Sequence, residues 1–328
     1  MPDWVPSWTT TKRHRLRCED YQHFRYYQFI DATRLSDGTL VALKKVRKSI
    51  HPYEVEILSY LSSDPLSSDP QNHCVALYDV LQVPDDEDLT IVVMPYLRAF
   101  DNPRFDTYGE AIACFQQLFD GLQFLHRHLI AHRDNHNLNI MLDPTSLYPN
   151  SFHPVQTKRK PNFDRNAKHY TRTQRPTKYL FIDFGISRRY KPEDMPPNEP
   201  IIDGADRTVP EFREEVAERT GLSCNPFPTD IYYMGNMIRE EFIQKRIGFE
   251  FMEPLVADMV QDDPSKRPTI DEVEARFADI RKSLGSWKLR SRVVEMEDDS
   301  FSGFLRGIAH WRRRLWFIVR RVPAVPMP

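Results

Sequence analysis

Glycine and cysteine are scarce in this 328-residue chain, with 11 and 4 copies, and no stretch approaches the ~18 apolar residues of a membrane span. Cys18, Cys74, Cys114 and Cys224 lie far apart and form no C-x-x-C pair. That spacing suggests neither a zinc site nor a disulfide scaffold, and reduced thiols fit a cytoplasmic or nuclear protein. Met1 to Arg17 has no apolar run, so no signal peptide is expected there. Neither sign of charge dominates: Lys plus Arg is 45 and Asp plus Glu is 47, so the net charge is 45 − 47 = −2. Such a balance gives no reason to expect a nucleic-acid partner. The first glycine is Gly38, so the first 37 positions lack the one residue that readily takes left-handed backbone.

What is present is ordered. Residues 1–17 are polar and basic and are expected to be flexible. Two β runs between Tyr26 and Val46 flank the turn Ser36-Asp37-Gly38. Val55, Leu58 and Leu61 step as a helix, and β runs follow over Val75–Val83 and Leu89–Met94. From Tyr108 the pattern is mostly helical, with β pieces at Asn139–Leu142 and Tyr179–Ile182. Strands first and helices later predict an α+β chain with a small β-rich part before a larger α-helical one. Residues 143–178 interrupt the second part with eight Lys or Arg against two acids. A solvated hairpin extension is the simplest expectation for them; the patch Lys158-Arg159-Lys160 alternatively suits an acidic partner or an import receptor.

The chemistry-bearing residues lie in a fixed order. His132-Arg133-Asp134 precedes Asn139 by a short loop, so a carboxylate able to orient a hydroxyl sits five residues before an amide oxygen able to hold a metal. Asp183-Phe184-Gly185 follows a β run, and Val41-Ala42-Leu43-Lys44 puts a lysine on a strand. Alternation along that strand turns Lys44 and Lys45 to opposite faces. Val209-Pro210-Glu211, Asp230 within Asp230-Ile231-Tyr232-Tyr233-Met234-Gly235, and Arg267 within Asp263-Pro264-Ser265-Lys266-Arg267-Pro268-Thr269 complete the series.

In that order the chain resembles the eukaryotic protein kinases, and within them is similar to fungal kinase-like proteins without assigned substrates. The resemblance implies a bilobal protein-kinase-like fold: an N-lobe and hinge over 18–97, a C-lobe over 98–282, and a separate tail over 283–328. It implies ATP and Mg2+ as cofactors, with Asp134 as the catalytic carboxylate, Asn139 and Asp183 on the metal, and Lys44 on the phosphates. Glu54 would position Lys44, with Glu56 as the alternative. Met94 takes the gatekeeper position, Pro95, Tyr96 and Leu97 the hinge, and Ala42 and Met141 the two faces of the adenine. Leu77, Leu58, Phe184 and His132 would stack between the lobes. Asp230 would anchor the backbone at His132 and Arg133, and Gly185 completes the metal-binding turn. Arg267 and Glu211 are expected as a buried ion pair.

The chain departs from the family in several places. The three phosphate-loop glycine positions fall on Gln22, Phe24 and Tyr27. His136 stands where a lysine steadies the γ-phosphate, and its usual threonine partner falls on Gly204. Arg133 would pair with a loop phosphate in the family; here Glu193, Asp194, Glu199, Asp203 and Asp206 are candidate substitutes. Two functions therefore stay open: ATP-dependent protein kinase, by default Ser/Thr-directed, and pseudokinase scaffold that binds nucleotide or partners without transferring phosphate. A small-molecule kinase of the choline or aminoglycoside type fits less well, because those relatives usually lack the elements matched here by Val209-Pro210-Glu211 and by Asp263 to Thr269.

Phe301, Phe304, Ile308, Trp311, Leu315, Ile318 and Val322 step by three and four, so residues 301–322 predict an apolar helical stripe. Six arginines accompany it, with no acid after Asp299. Such a helix suits an anionic membrane surface, a partner groove, or docking on its own lobe, and makes a peripheral membrane location one expectation.

Overall fold

The computed structural model describes residues 5–12, 14–23, 27–202, 206–213 and 223–328. Phe24, Asp203 and Gly204 lie outside them. The described chain is mixed α+β. The amino-terminal segment opens with one helical turn, α1 (Ser7–Thr10), tied down where Ser7 N and Oγ donate to the Asp20 carboxylate at 2.6 Å each.

Four antiparallel strands come next: β1 (Phe29–Thr33), β2 (Leu40–Arg47), β3 (Asp79–Val83) and β4 (Asp86–Pro95), in the spatial order β1-β2-β4-β3. The β1–β2 turn works as its sequence suggests. Asp37 accepts from Thr39 N at 3.0 Å, and Gly38 takes φ +72°, open to a residue without a Cβ. Helix α2 (Glu54–Leu61) buries Glu54, Ile57, Leu58 and Leu61, one face at helical spacing. The strand expected from Val75 starts only at Asp79. The preceding residues pair elsewhere: Val75 N donates to Phe181 O at 2.9 Å and Phe181 N to His73 O at 2.8 Å. This is the seam between the sheet and the helical part.

Helix α3 (Tyr108–Arg127) is the centre of the remainder and is buried around most of its circumference. Thr107 caps it, accepting from Glu110 N at 3.1 Å. Short strands flank it: β5 (Arg98–Ala99), β7 (Ile140–Leu142) and β8 (Tyr179–Phe181) form one sheet, and β6 (Ile130–Ala131) pairs with β9 (Arg188–Arg189). Helices α4 (Pro226–Ile238), α5 (Glu253–Met259) and α6 (Ile270–Ser283) pack beyond. Phe115, Phe242, Phe249 and Phe277 interlock at their shared core, the Phe115 and Phe242 rings 4.6 Å apart and edge-on.

Two sequence expectations need correction. Residues 143–178 are a solvated extension only in part: residues 158–170 are mostly exposed, but Leu147, Tyr148 and Phe152 are buried, and the Arg98 guanidinium lies 4.3 Å from both the Tyr148 and Phe152 ring centroids. Nor is residue 283 a boundary. Leu289 and Val293 belong to the main core, Tyr108 N donates to Ser291 O at 3.1 Å, and Val293 N to Asp106 O at 3.1 Å. Apolar residues past 283 serve the same core as α3, so the tail is part of the fold. It ends in α7 (Ser286–Leu289) and the long α8 (Ser300–Val319). Among the described residues no helix is long and apolar enough to cross a membrane.

Candidate functional site

Strand β2 carries the first functional side chain. Its alternation buries Lys44 and exposes Lys45. Lys44 Nζ donates to Glu54 Oε1 and, at 2.8 Å, to Asp183 Oδ1. Glu56 points to solvent, so α2 presents Glu54 alone to the lysine. Burial alone would lower the Lys44 pKa; Asp183 and Glu54 outweigh it, and the ammonium is held charged. Burial would raise the Asp183 pKa, but Lys44 pulls it below the usual carboxylate value. For Glu54 burial wins over the pull of Lys44, and the net shift is upward.

The loop after β6 carries the second group. Asp230, fully buried on α4, accepts from His132 N at 2.8 Å and Arg133 N at 2.7 Å. Arg133 has φ +69°, a backbone position that costs an L residue with a Cβ roughly 1–2 kcal/mol. The two charge-assisted bonds to Asp230 offset that strain and fix the loop. His126 Nε2 and the Asn135 side chain also reach Asp230, at 3.1 and 3.0 Å. Burial lowers the His132 pKa, so its neutral ring donates from Nε2 to Ile182 O at 3.1 Å and accepts from Asp134 N at Nδ1. Its ring lies 5.0 Å from Phe184, while Leu58 and Phe184 share the main core and Leu77 packs against it.

Asn139 joins the two groups. Its Nδ2 donates to Asp134 O at 2.8 Å and Asp134 Oδ2 at 2.9 Å, and its carbonyl accepts from Ile182 N at 3.0 Å. Ile182 immediately precedes Asp183, which has φ +64°. Lys44, Asp134, Asn139 and Asp183, far apart in sequence, thus converge on one cleft. The turn at Gly185 is too tight for a side chain: an added Cβ would meet His51 Nδ1 at 2.9 Å and Asp183 Oδ1 at 3.1 Å. His51 Nδ1 lies 3.0 Å from Gly185 O, a tie between sheet and helical parts that sequence reasoning missed.

The other expected residues fall around this cleft. Ala42 pairs with Met94 across β2 and β4, and Ala42 and Met141 are both partly exposed. Pro95, Tyr96 and Leu97 connect β4 to β5. Tyr96 OH donates to Pro154 O at 2.7 Å, so the insert buttresses this connection. Arg267 and Glu211 form a two-pronged pair at 2.8 and 2.6 Å, with side chains 0% and 4% exposed. Thr229, not singled out from sequence, adds a hydroxyl to Glu211 at 2.7 Å. The Asp263 motif folds locally to deliver Arg267. Asp263 caps Ser265 N at 3.0 Å, and Thr269 and Glu272 form a capping box that starts α6.

Where the sequence departs from its resemblance, the side chains have found other partners. Of the candidate carboxylates for Arg133, Glu199 comes within 3.7 Å of Nη1, and Nη2 donates to Pro200 O at 2.8 Å. His136 Nε2 lies 3.5 Å from Asp134 Oδ1, and its Nδ1 lies 3.2 Å from Leu138 N and 3.3 Å from Asn137 Oδ1. Burial would lower the His136 pKa, but Asp134 reverses the shift and raises it.

No family model matches the chain.

Proposed function

We propose that the chain is a protein kinase, with a bilobal fold whose sheet and helical parts clasp ATP and Mg2+ between them. It transfers the γ-phosphoryl group to a protein hydroxyl, by default that of Ser or Thr, in the cytosol or nucleus. The observation that carries this reading is the Lys44 ammonium held between Glu54 and Asp183, one residue from the Ile182–Asn139 tie that brings in Asp134.

The donors fit the cofactors. The Asn139 amide nitrogen is engaged by Asp134, which leaves Oδ1 for a cation. Asp183 uses Oδ1 toward Lys44 and Gly185 N, which leaves Oδ2. Two hard oxygens suit Mg2+, which commonly takes one or two protein ligands and completes its shell with phosphate and water. Bound there, Mg2+ supplies charge neutralisation on the phosphates. Lys44 would hold the α- and β-phosphates, and Ala42 and Met141 would face the adenine beside Met94 and the Pro95–Leu97 hinge. Asp134 would orient the acceptor hydroxyl and take its proton as the new P–O bond forms and the bond to the β-bridging oxygen breaks.

Radiolabel transfer from ATP tests catalysis. Asp134→Asn should lower the rate by about 10²–10⁴ while the thermal shift with ATP and Mg2+ persists. Equal transfer by wild type and variant would end the catalytic assignment. The scaffold reading has its own support: Gln22 and Tyr27 at glycine positions and His136 in place of lysine. A thermal shift with no transfer by either protein would favour it.

A further inference from the structure

The orientation of α8 is inverted relative to an ordinary surface helix. Its charged edge faces the protein: His310 and Arg313 meet Asp106 at 3.3 and 2.9 Å, and Arg314 lies buried, its guanidinium 3.7 Å from the Trp287 ring centroid. Phe317, absent from the expected stripe, is the apolar residue turned inward, 2% exposed. The stripe itself faces out. Phe301, Phe304, Ile308, Trp311, Leu315 and Trp316 are 48–72% exposed along a helix about 30 Å long. A contiguous face of this kind on a folded chain marks an interaction surface.

We propose that this face docks on an anionic lipid bilayer, with α8 lying in the headgroup plane. The charge pattern selects that occupant. Arg312 stands within the apolar face and Arg320 and Arg321 at its end, all exposed, with no acid from residue 300 onward. A second copy related by a twofold axis would set this all-cationic face against itself, which like charges oppose. A groove that enwraps a helix needs most of its circumference, and the inward half is already held by Asp106 and Trp287. A flat anionic surface needs only the outward half. Trp311 and Trp316 supply the amphipathic rings that sit at headgroup depth. A cleft of about 370 Å³ bordered by Gln174, Ala309, Arg312, Arg313 and Trp316 opens beside them; Arg313 is committed to Asp106, and the exposed Arg312 is the guanidinium placed to meet a headgroup phosphate.

The test is flotation of the full chain with vesicles of phosphatidylcholine alone or with about one-third phosphatidylserine. The wild type should float with the anionic vesicles and stay behind with the neutral ones. Ile308→Glu with Leu315→Glu should lower the bound fraction about tenfold, and Arg320→Glu with Arg321→Glu about as much. All four positions are exposed, so an unchanged melting transition in each variant would show that the fold survives. Failure of the folded wild type to float, or equal flotation with neutral vesicles, would overturn the proposal. So would a vesicle-free dimer in sedimentation equilibrium that the Ile308/Leu315 variant dissociates, because the face would then be a self-interface. None of these results depends on nucleotide binding or phosphoryl transfer.

Discussion

On the helical side of the cleft, the buried Asp230 secures two consecutive backbone amides, and Asn139 Nδ2 donates to two oxygens of the half-buried Asp134. On the sheet side, the segment entering β1 leaves Tyr27 86% and Ile30 59% exposed, and β1 is an edge strand paired only with β2. Gln22 makes its bonds, to Cys18 O at 3.1 Å and from Gln156 at 3.0 Å, at or near the surface. The floor is therefore fixed before any ligand arrives, by polar groups that have lost water and found partners. The β1 edge of the roof is held by backbone pairing and solvated contacts, each worth less. A site built in this way keeps its chemistry-bearing geometry in the deep network and leaves the cover free to diverge.

The sharpest way to break the comparison is at the deepest ion pair. Arg267→Ala or Glu211→Ala leaves one charge buried without its partner and should cost about 3–5 kcal/mol in urea unfolding. Replacing both, Arg267→Met with Glu211→Leu, should recover a large part of that loss, since no charge is then stranded. A single-variant cost under about 1 kcal/mol would mean the pair behaves like a surface bridge, and the contrast between floor and roof would fail.

The parts of this site legible in the sequence were those governed by local periodicity. Strand alternation separates Lys44 from Lys45, and helical spacing turns Glu54 inward with Ile57, Leu58 and Leu61 while Glu56 stays out. The motif residues around Asp134, Asp183 and Asp230 are brought together by the bonds of Asp230 to His132 and Arg133, of Asn139 to Asp134 and of Ile182 to Asn139. What could not be read depended on contacts between distant segments. Arg98 lies against both Tyr148 and Phe152, and His51 meets Gly185; no repeat in the sequence announces either contact. Val75 reads as the start of a strand that runs to Val83, but its N–H donates to Phe181 O on β8, over a hundred residues onward (181 − 75 = 106), and the strand begins only at Asp79. In α8 the spacing correctly predicted an apolar face but carried no information about which face would dock. It also ran too far: the helix stops at Val319, Arg321 turns to φ +53°, and Val322 N donates back to Phe317 O at 2.9 Å.

A smaller effect should come from His136 at the edge of the floor. Its pKa is raised in the folded state, so its pairing with Asp134 stabilises most below the unfolded value of about 6.5 and is lost as pH rises through the folded value. Urea unfolding of wild type and His136→Gln at mildly acidic and at alkaline pH should show a wild-type advantage of under about 1 kcal/mol that shrinks on the alkaline side. An advantage independent of pH would mean the ring stays neutral in the fold. Asp134 would then lack the charged neighbour that distinguishes this loop.

The smallest expected change in stability lies at the roof. Tyr27→Gly removes a side chain that is 86% exposed, and its unfolding free energy should move by only about 0.5–1 kcal/mol, mostly from added chain entropy. Nucleotide affinity is the more telling quantity. If a bulky side chain at this position keeps backbone amides away from the phosphates, glycine should tighten ATP binding by about threefold in calorimetry with Mg2+ present. Unchanged affinity would show that residue 27 does not govern the approach to the phosphates. Lys44 on β2, with Asn139 and Asp183 from the helical side, would then have to account for whatever binding is measured, and the side chain at residue 27 would cost the site nothing.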